Sequence, residues 1–155
     1  GSRSYGVARA QDYGRGFDAY VKTWNDHCTL IIQIESIQAV EAIEPLLNAE
    51  AVDGVMIGPY DISGSLGLPG QLDHPKVLEA CERVLHACSR HRKACGTQLI
   101  DPTPDGVKTA LSSGYTFVVL ASDVFILWKW ADRMRGLLQT HRPSSTRRIL
   151  ARSRS

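Results

Sequence analysis

Residues 29–35 read Thr29-Leu30-Ile31-Ile32-Gln33-Ile34-Glu35, a β-branched and almost continuously apolar run. Such a run suits a strand buried on both faces, the kind found in parallel sheets. A helical pattern follows, with apolar residues at positions 37, 40, 43, 46 and 47. The alternation then repeats. Val52-Asp53-Gly54-Val55-Met56-Ile57 is a second buried strand, closed by Gly58-Pro59 and followed by a glycine-rich loop with free backbone N–H groups. Asp73-His74-Pro75 opens a helix to about His91, because proline is favoured in the first helical turn. Residues 94–100 form a weaker third strand, 104–113 a helix stopped by Gly114, 115–121 a fourth strand and 124–140 a last helix. Upstream, residues 5–26 run as a loop rich in Gly, Arg and aromatics into a short helix over 17–24. This alternation predicts an α/β fold of parallel βα units. Four units make either a small open sheet or half of an eight-stranded barrel, which takes about 250 residues.

The chain has 155 residues, 43% hydrophobic and 22% charged, which fits one ordinary domain and excludes a wholly disordered chain. No apolar run approaches the ~18 residues of a membrane helix. The first residues lack the charged-then-apolar layout of a signal peptide, so a cytoplasmic setting without a membrane partner is expected. The net charge of +2 hides an asymmetry: five arginines fall within residues 142–155, and removing them leaves 13 basic against 16 acidic residues. The Arg/Ser-rich tail over 142–155 reads as disordered, and residues 1–141 as the folded part. The tail lacks aromatic interleaving, so nucleic-acid binding is not expected of it. Cys28, Cys81, Cys88 and Cys95 form no CxxC pair, which favours a reduced setting. Cys88, His91 and Cys95, with His86, would be a zinc cluster only if the spacing closed up; two core cysteines beside a polar helix end is the simpler account.

In parallel α/β folds ligands sit at the carboxyl ends of the strands. Those ends read Gln33-Ile34-Glu35, Gly58-Pro59-Tyr60-Asp61, Gln98-Leu99-Ile100-Asp101 and Ala121-Ser122-Asp123, each with a carboxylate. Glu35 ends an apolar run, where a bare buried carboxylate is costly and calls for a cation or a hydrogen-bond partner. Two carboxylates on adjacent strand ends suit a hard divalent cation. Helix capping by Asp61 and Asp123, and an ion pair of Glu35 with Lys or Arg, are the competing accounts.

Arg3-Ser4-Tyr5-Gly6, Ala8-Arg9-Ala10, Gln33-Ile34-Glu35, residues 53–63 and Gly64-Ser65-Leu66-Gly67 with His74-Pro75 resemble the HpcH/HpaI aldolase family. The resemblance covers about residues 3–138. It implies a (β/α)8 TIM barrel, of which this chain holds the last four βα units, the C-terminal half. It implies a class II aldolase that cleaves a 4-hydroxy-2-oxo acid to pyruvate and an aldehyde. Glu35 and Asp61 would be the metal ligands, for Mg²⁺ or Mn²⁺ with Co²⁺ as a third candidate. Gln33 would line the pocket, and the backbone N–H groups of Tyr60 and Asp61 would hold the carboxylate of a pyruvate unit. The family's histidine base and its substrate-anchoring arginine belong to the first half of the barrel, and no histidine here sits in a matching context, so no catalytic residue is assigned. The family also assembles as a hexamer with exchanged C-terminal helices, which implies a homo-oligomer.

Half a barrel leaves two open sheet edges that invite pairing. Ile31, Val55 and Val118 are expected to be exposed on the uncovered surface, and the chain is expected to be a piece of a larger gene product. A citrate-lyase-like acyl-CoA lyase and a non-catalytic oligomerising half-barrel that keeps a metal pocket are the alternatives.

Overall fold

The computed structural model describes residues 6–140. The Arg/Ser-rich tail, and Arg3-Ser4-Tyr5 of the resemblance, lie outside the described residues. After a 3₁₀ turn (Arg9–Gly14) the elements are α1 (Phe17–His27), β1 (Ile31–Ile34), α2 (Ile37–Glu41), α3 (Ile43–Asn48), β2 (Gly54–Ile57), α4 (Pro59–Ser65), α5 (Pro75–His91), β3 (Ala94–Leu99), α6 (Pro104–Ser112), β4 (Phe117–Leu120) and α7 (Asp123–Thr140). The four strands form one parallel sheet in the order β1-β2-β3-β4.

That order decides between the two architectures the sequence left open. Each strand joins beside its predecessor, and crossovers in parallel sheets share one hand. The helices therefore fall on one face of the sheet, as in a barrel wall, whereas a doubly wound sheet reverses its order and is covered on both faces.

The register shows which side chains lie on which face. Ile31 pairs with Gly54, Ile32 with Val55, Gln33 with Met56 and Ile34 with Ile57; across the next pairs Val55 matches Cys95 and Thr97 matches Val118. Because strand side chains alternate, Ile32, Ile34, Val55, Ile57 and Cys95 share the helix-covered face. There they pack with Val40, Ile43, Leu47, Val84, Ala87 and Cys88 into one core. Burial of each such aliphatic side chain contributes about 1.5–3 kcal/mol. Ile31, Gln33, Met56, Gln98, Phe117 and Val119 share the opposite, inner face. Of the three residues expected to be exposed, only Ile31 is, at 43%; Val55 is fully buried and Val118 half-buried, because the register turns both toward the helices.

Two further elements differ from the sequence reading. The helix expected after β1 is two helices with a break at Ala42 (φ −90°, ψ 16°). Pro45 has no N–H to give the Glu41 carbonyl, and its ring crowds that carbonyl, so the first helix stops there. The glycine-rich loop after β2 is instead the helix α4, with Pro59 in its first turn. Its N–H groups are largely used: Ile62 donates to the Gly58 carbonyl (3.0 Å) and Leu66 to the Ile62 carbonyl (3.0 Å). At the two ends of the chain, α1 and α7 bury no residue at all. Trp24, Ile126, Leu127, Trp128 and Leu138 are each more than two-fifths exposed on them.

Candidate metal centre

The inner face ends, at the carboxyl side of β1 and β2, in a small polar corner. Gln33 lies on β1, and Glu35 follows two residues later, on the same side by strand alternation. The chain turns away at once, because Ser36 caps α2 by accepting from the Ala39 N–H (3.2 Å). Next door, Gly58 follows β2, and its N–H donates to the Ile34 carbonyl (2.9 Å), extending the β1–β2 ladder by one bond. Asp61 stands three residues further, in the first turn of α4.

These residues meet around the side chain that Gly58 lacks. A Cβ there would lie 3.3 Å from Asp61 Oδ2, 3.4 Å from the Gln33 amide nitrogen and 3.4 Å from Glu35 Cβ. Gln33, Glu35 and Asp61 thus lie around one point, and glycine keeps the space there open. Both carboxylates are exposed rather than buried, so Glu35 needs no partner to sit at the end of its apolar run. The competing account, a Lys or Arg partner for Glu35, has no support: among the described residues no ion pair involves Glu35 or Asp61. Nor does Asp61 cap its helix; α4 has no side-chain cap, which leaves the first-turn N–H groups of Tyr60 and Asp61 outside its hydrogen bonding.

Asp61 Oδ2 and the side chain of Glu35, whose Cβ borders the corner, supply carboxylate oxygens of the kind that Mg²⁺ or Mn²⁺ takes, while Gln33 presents its amide nitrogen, a hydrogen-bond donor. Among the described residues no three His, Cys, Asp or Glu side chains come together. Two carboxylate residues, Glu35 and Asp61, border the corner.

The other sequence candidates fall elsewhere. Asp123, the first residue of α7, accepts from the adjacent Val124 N–H (2.8 Å). His74 caps α5 through Nδ1, which accepts from the Lys76 N–H (3.2 Å). His91 Nε2 contacts Glu44 Oε2 (2.6 Å), so it does not join Cys88 and Cys95 in a zinc cluster. The Tyr60 side chain is 63% exposed and faces Gly70 rather than the corner, which leaves only its backbone available to the site. Beyond the ends of β3 and β4, an apolar cleft of about 460 Å³ opens between Ile100, Leu120 and the α7 residues Phe125 and Trp130, spanned by an Asp101–Lys129 ion pair.

The sequence reading missed three residues of this region: Gly58 as the open corner, and the serines of α4. The Ser63 hydroxyl is fully buried, donates to the Tyr60 carbonyl (2.6 Å) and accepts from the Gly70 N–H (2.9 Å). The Ser65 hydroxyl accepts from the Ile37 N–H (2.9 Å) on the neighbouring βα unit. Pro59 followed by Asp61 is a helix-start signal that would have placed these serines on a helix.

Comparison with known proteins gives the family. The HpcH/HpaI aldolase/citrate lyase family matches residues 5–129. A 2-keto-3-deoxy-L-rhamnonate aldolase from Salmonella dublin is 34% identical over 148 residues, covering 94% of this chain and 54% of that protein. Among solved structures, an HpcH/HpaI aldolase/citrate lyase family protein from Burkholderia cenocepacia superposes with a TM-score of 0.73 at 28% identity, over 88% of this chain and 52% of its own. An HpcH/HpaI aldolase from Desulfitobacterium hafniense gives a TM-score of 0.72 at 28% identity, over 93% and 55%. The chain spans about half the length of the relatives it matches. It belongs to the HpcH/HpaI aldolase/citrate lyase family.

Proposed function

We propose that this member of the HpcH/HpaI family carries the metal and substrate corner of a class II aldolase that cleaves a 4-hydroxy-2-oxo acid to pyruvate and an aldehyde. The observation that carries the reading is the convergence of Gln33, Glu35 and Asp61 on the space left by Gly58. Glu35 and Asp61 would hold Mg²⁺, Mn²⁺ or Co²⁺, as the resemblance implies. A divalent cation held there polarises the keto group of a 2-oxo acid and takes up the negative charge that develops on its oxygen.

The chain's own residues do the rest by position. Gln33 is turned to the same corner and orients the substrate from the β1 side. The first-turn N–H groups of Tyr60 and Asp61 would meet an incoming carboxylate; no side-chain cap competes for them. Gly58 keeps van der Waals room for the ligand where any side chain would intrude. No proton acceptor is assigned within this chain, since His74 and His91 are engaged elsewhere.

Titration of the purified chain with Mn²⁺, with and without pyruvate, tests the reading. Saturable binding that tightens with pyruvate and is lost in Glu35→Gln and Asp61→Asn supports it. Mn²⁺ binding in either variant equal to the parent's removes the ligand assignment. A second reading, a non-catalytic oligomerising half-barrel that keeps the metal corner, is favoured by the apolar side chains that α1 and α7 leave exposed. Metal binding without turnover of any 4-hydroxy-2-oxo acid, in a self-associated chain, would select it. Turnover confined to CoA thioesters would point to a citrate-lyase-like reaction.

A further inference from the structure

We propose that Ser65 is a positioning residue that fixes the separation of Glu35 and Asp61, and with it the choice of cation, by clamping the β1–α2 loop to α4. The proposal rests on the metal reading above.

Glu35 and Asp61 belong to different βα units, so nothing in the local chain sets their distance. The β1–β2 pairing and the shared core align the two units, and two hydrogen bonds that straddle Glu35 tie them at the site itself. On the strand side the Gly58 N–H donates to the Ile34 carbonyl (2.9 Å). On the helix side the Ile37 N–H donates to Ser65 Oγ (2.9 Å). The second bond is needed because of how α2 begins. Ile37 is its first residue, and first-turn N–H groups have no partner within a helix. The capping hydroxyl of Ser36 is already used by Ala39 (3.2 Å), so the Ile37 N–H must look outside its own helix. Ser65 supplies the acceptor.

Ser65 is well placed to transmit position to the site. It lies four residues after Asp61 on α4, so the two side chains share one helix face. Glu35 is two residues from Ile37. Any drift of the loop relative to α4 therefore changes the Glu35–Asp61 gap directly. The hydroxyl is not required for folding, because this contact is solvent-exposed and water can replace it at the Ile37 N–H. What water cannot do is hold the spacing. Mg²⁺ and Mn²⁺ sites demand tight geometry, whereas Ca²⁺ accepts longer and more variable bonds, so a loosened pair should lose affinity for the smaller ions first.

The test titrates Mn²⁺ and Ca²⁺ into the parent chain, Ser65→Ala, Ser65→Thr and Glu35→Gln, with melting of each metal-free sample and amide exchange at Ile37. Ser65→Ala is expected to weaken Mn²⁺ binding about tenfold, to lower the Mn²⁺/Ca²⁺ affinity ratio and to speed exchange at Ile37, with an unchanged metal-free melting temperature. Ser65→Thr keeps the hydroxyl and should restore both affinity and ratio. If Ser65→Ala binds Mn²⁺ like the parent while Glu35→Gln does not, the positioning role is wrong and the carboxylate site stands. If the parent binds no better than Glu35→Gln, the metal reading fails and takes this proposal with it. Equal loss in Ser65→Ala and Ser65→Thr, or a fall in metal-free melting temperature that parallels the loss, would mean that Ser65 acts on the fold alone and overturns the proposal.

Discussion

Gly58→Ala is the sharpest probe of the corner, because it adds one methyl group at the point where the three site residues meet. The backbone there has a φ of −105°, which alanine adopts, so the substitution introduces no left-handed strain. The methyl would lie 3.3 Å from Asp61 Oδ2, 3.4 Å from the Gln33 amide nitrogen and 3.4 Å from Glu35 Cβ, closer than side chains normally pack. Relief requires shifts of a few tenths of an ångström. Gln33, Glu35 and Asp61 are all exposed, so they can swing outward into water at small cost. Reduced freedom of the unfolded chain returns about 0.4–1 kcal/mol. The net change in folding stability should therefore stay within about 1 kcal/mol.

Metal binding should respond differently. Ligand distances in a metal site are held to about 0.2 Å, the same scale as the displacement that the methyl forces. A loss of at least about tenfold in Mn²⁺ affinity is expected, equivalent to about 1.4 kcal/mol. Chemical denaturation and Mn²⁺ titration of the same preparation separate the two effects. A variant that binds Mn²⁺ with parental affinity would show that the cation does not sit among these three side chains. A variant that binds weakly only because it is unfolded would show a denaturation midpoint far below the parent's, contradicting the packing estimate.

Other consequences follow from the same structure. Arg92 ends α5 in the left-handed region (φ 55°), a conformation that costs a non-glycine residue about 1–2 kcal/mol, so Arg92→Gly should raise the denaturation midpoint; a lower midpoint would mean that the arginine side chain contributes more than its backbone costs. Hydrogen bonds from His91 and Arg90 hold the Glu44 carboxyl below its usual value of 4.5. Its contribution to stability is thus fully present above about pH 4.5 and is lost as the pH falls through the lowered value. The stability gap between the parent and Glu44→Gln should close on acidification in urea melts, and a gap that persists well into acid would refute the linkage. Native thiol labelling at pH 8 should be fastest at half-buried Cys28. It should be slow at Cys81, whose thiol burial pushes up to about 11, and negligible at Cys88 and Cys95, which are 1% and 2% exposed, until denaturant is added. Rapid labelling of Cys95 in the native chain would show that β3 opens locally.

The elements legible in the sequence were those whose signal is local. The β-branched runs around Ile32, Val55 and Val118 fall on strands, Pro75 and Pro104 start helices, and Gly114 sits past a helix end with φ 102°. The faces were less legible. An apolar run such as Ile31-Ile32 says nothing about which residue points to the helices; only pairing of Ile32 with Val55 decides it. The same holds for Val55 and Val118, expected on the face that half a barrel leaves uncovered: their register, not their residue type, turns them toward the helices. At α4 the breakers Gly58 and Gly64 masked a helix, because tertiary contacts such as the Ser63 hydroxyl to the Gly70 N–H stabilise seven residues that propensity alone would leave as loop. The candidate site was half legible. Glu35 and Asp61 were visible as polar residues at strand ends, but the glycine that leaves room between them and the serine that ties their loops together carry no signal until two βα units lie side by side.

That division of labour between faces bears on how strongly the corner can hold a cation. The helix-covered face is built from Ile34, Val55, Ile57 and Cys95 and supplies the rigid backing. The inner face pairs small residues with large ones, as where Phe117 lies across Gly96, and ends in the polar corner. With that face open, Glu35 and Asp61 stand in water, where a unit charge pair 4 Å apart is worth only about 1 kcal/mol. In a partly covered site of effective dielectric near 20 the same pair is worth about 4 kcal/mol. On the proposed metal reading, covering the inner face would strengthen each carboxylate–cation attraction without moving either carboxylate, and would remove the water that competes for the open positions. The backbone brings Gln33, Glu35 and Asp61 together around Gly58; on the proposed metal reading, what then sets the affinity is how much solvent that corner keeps.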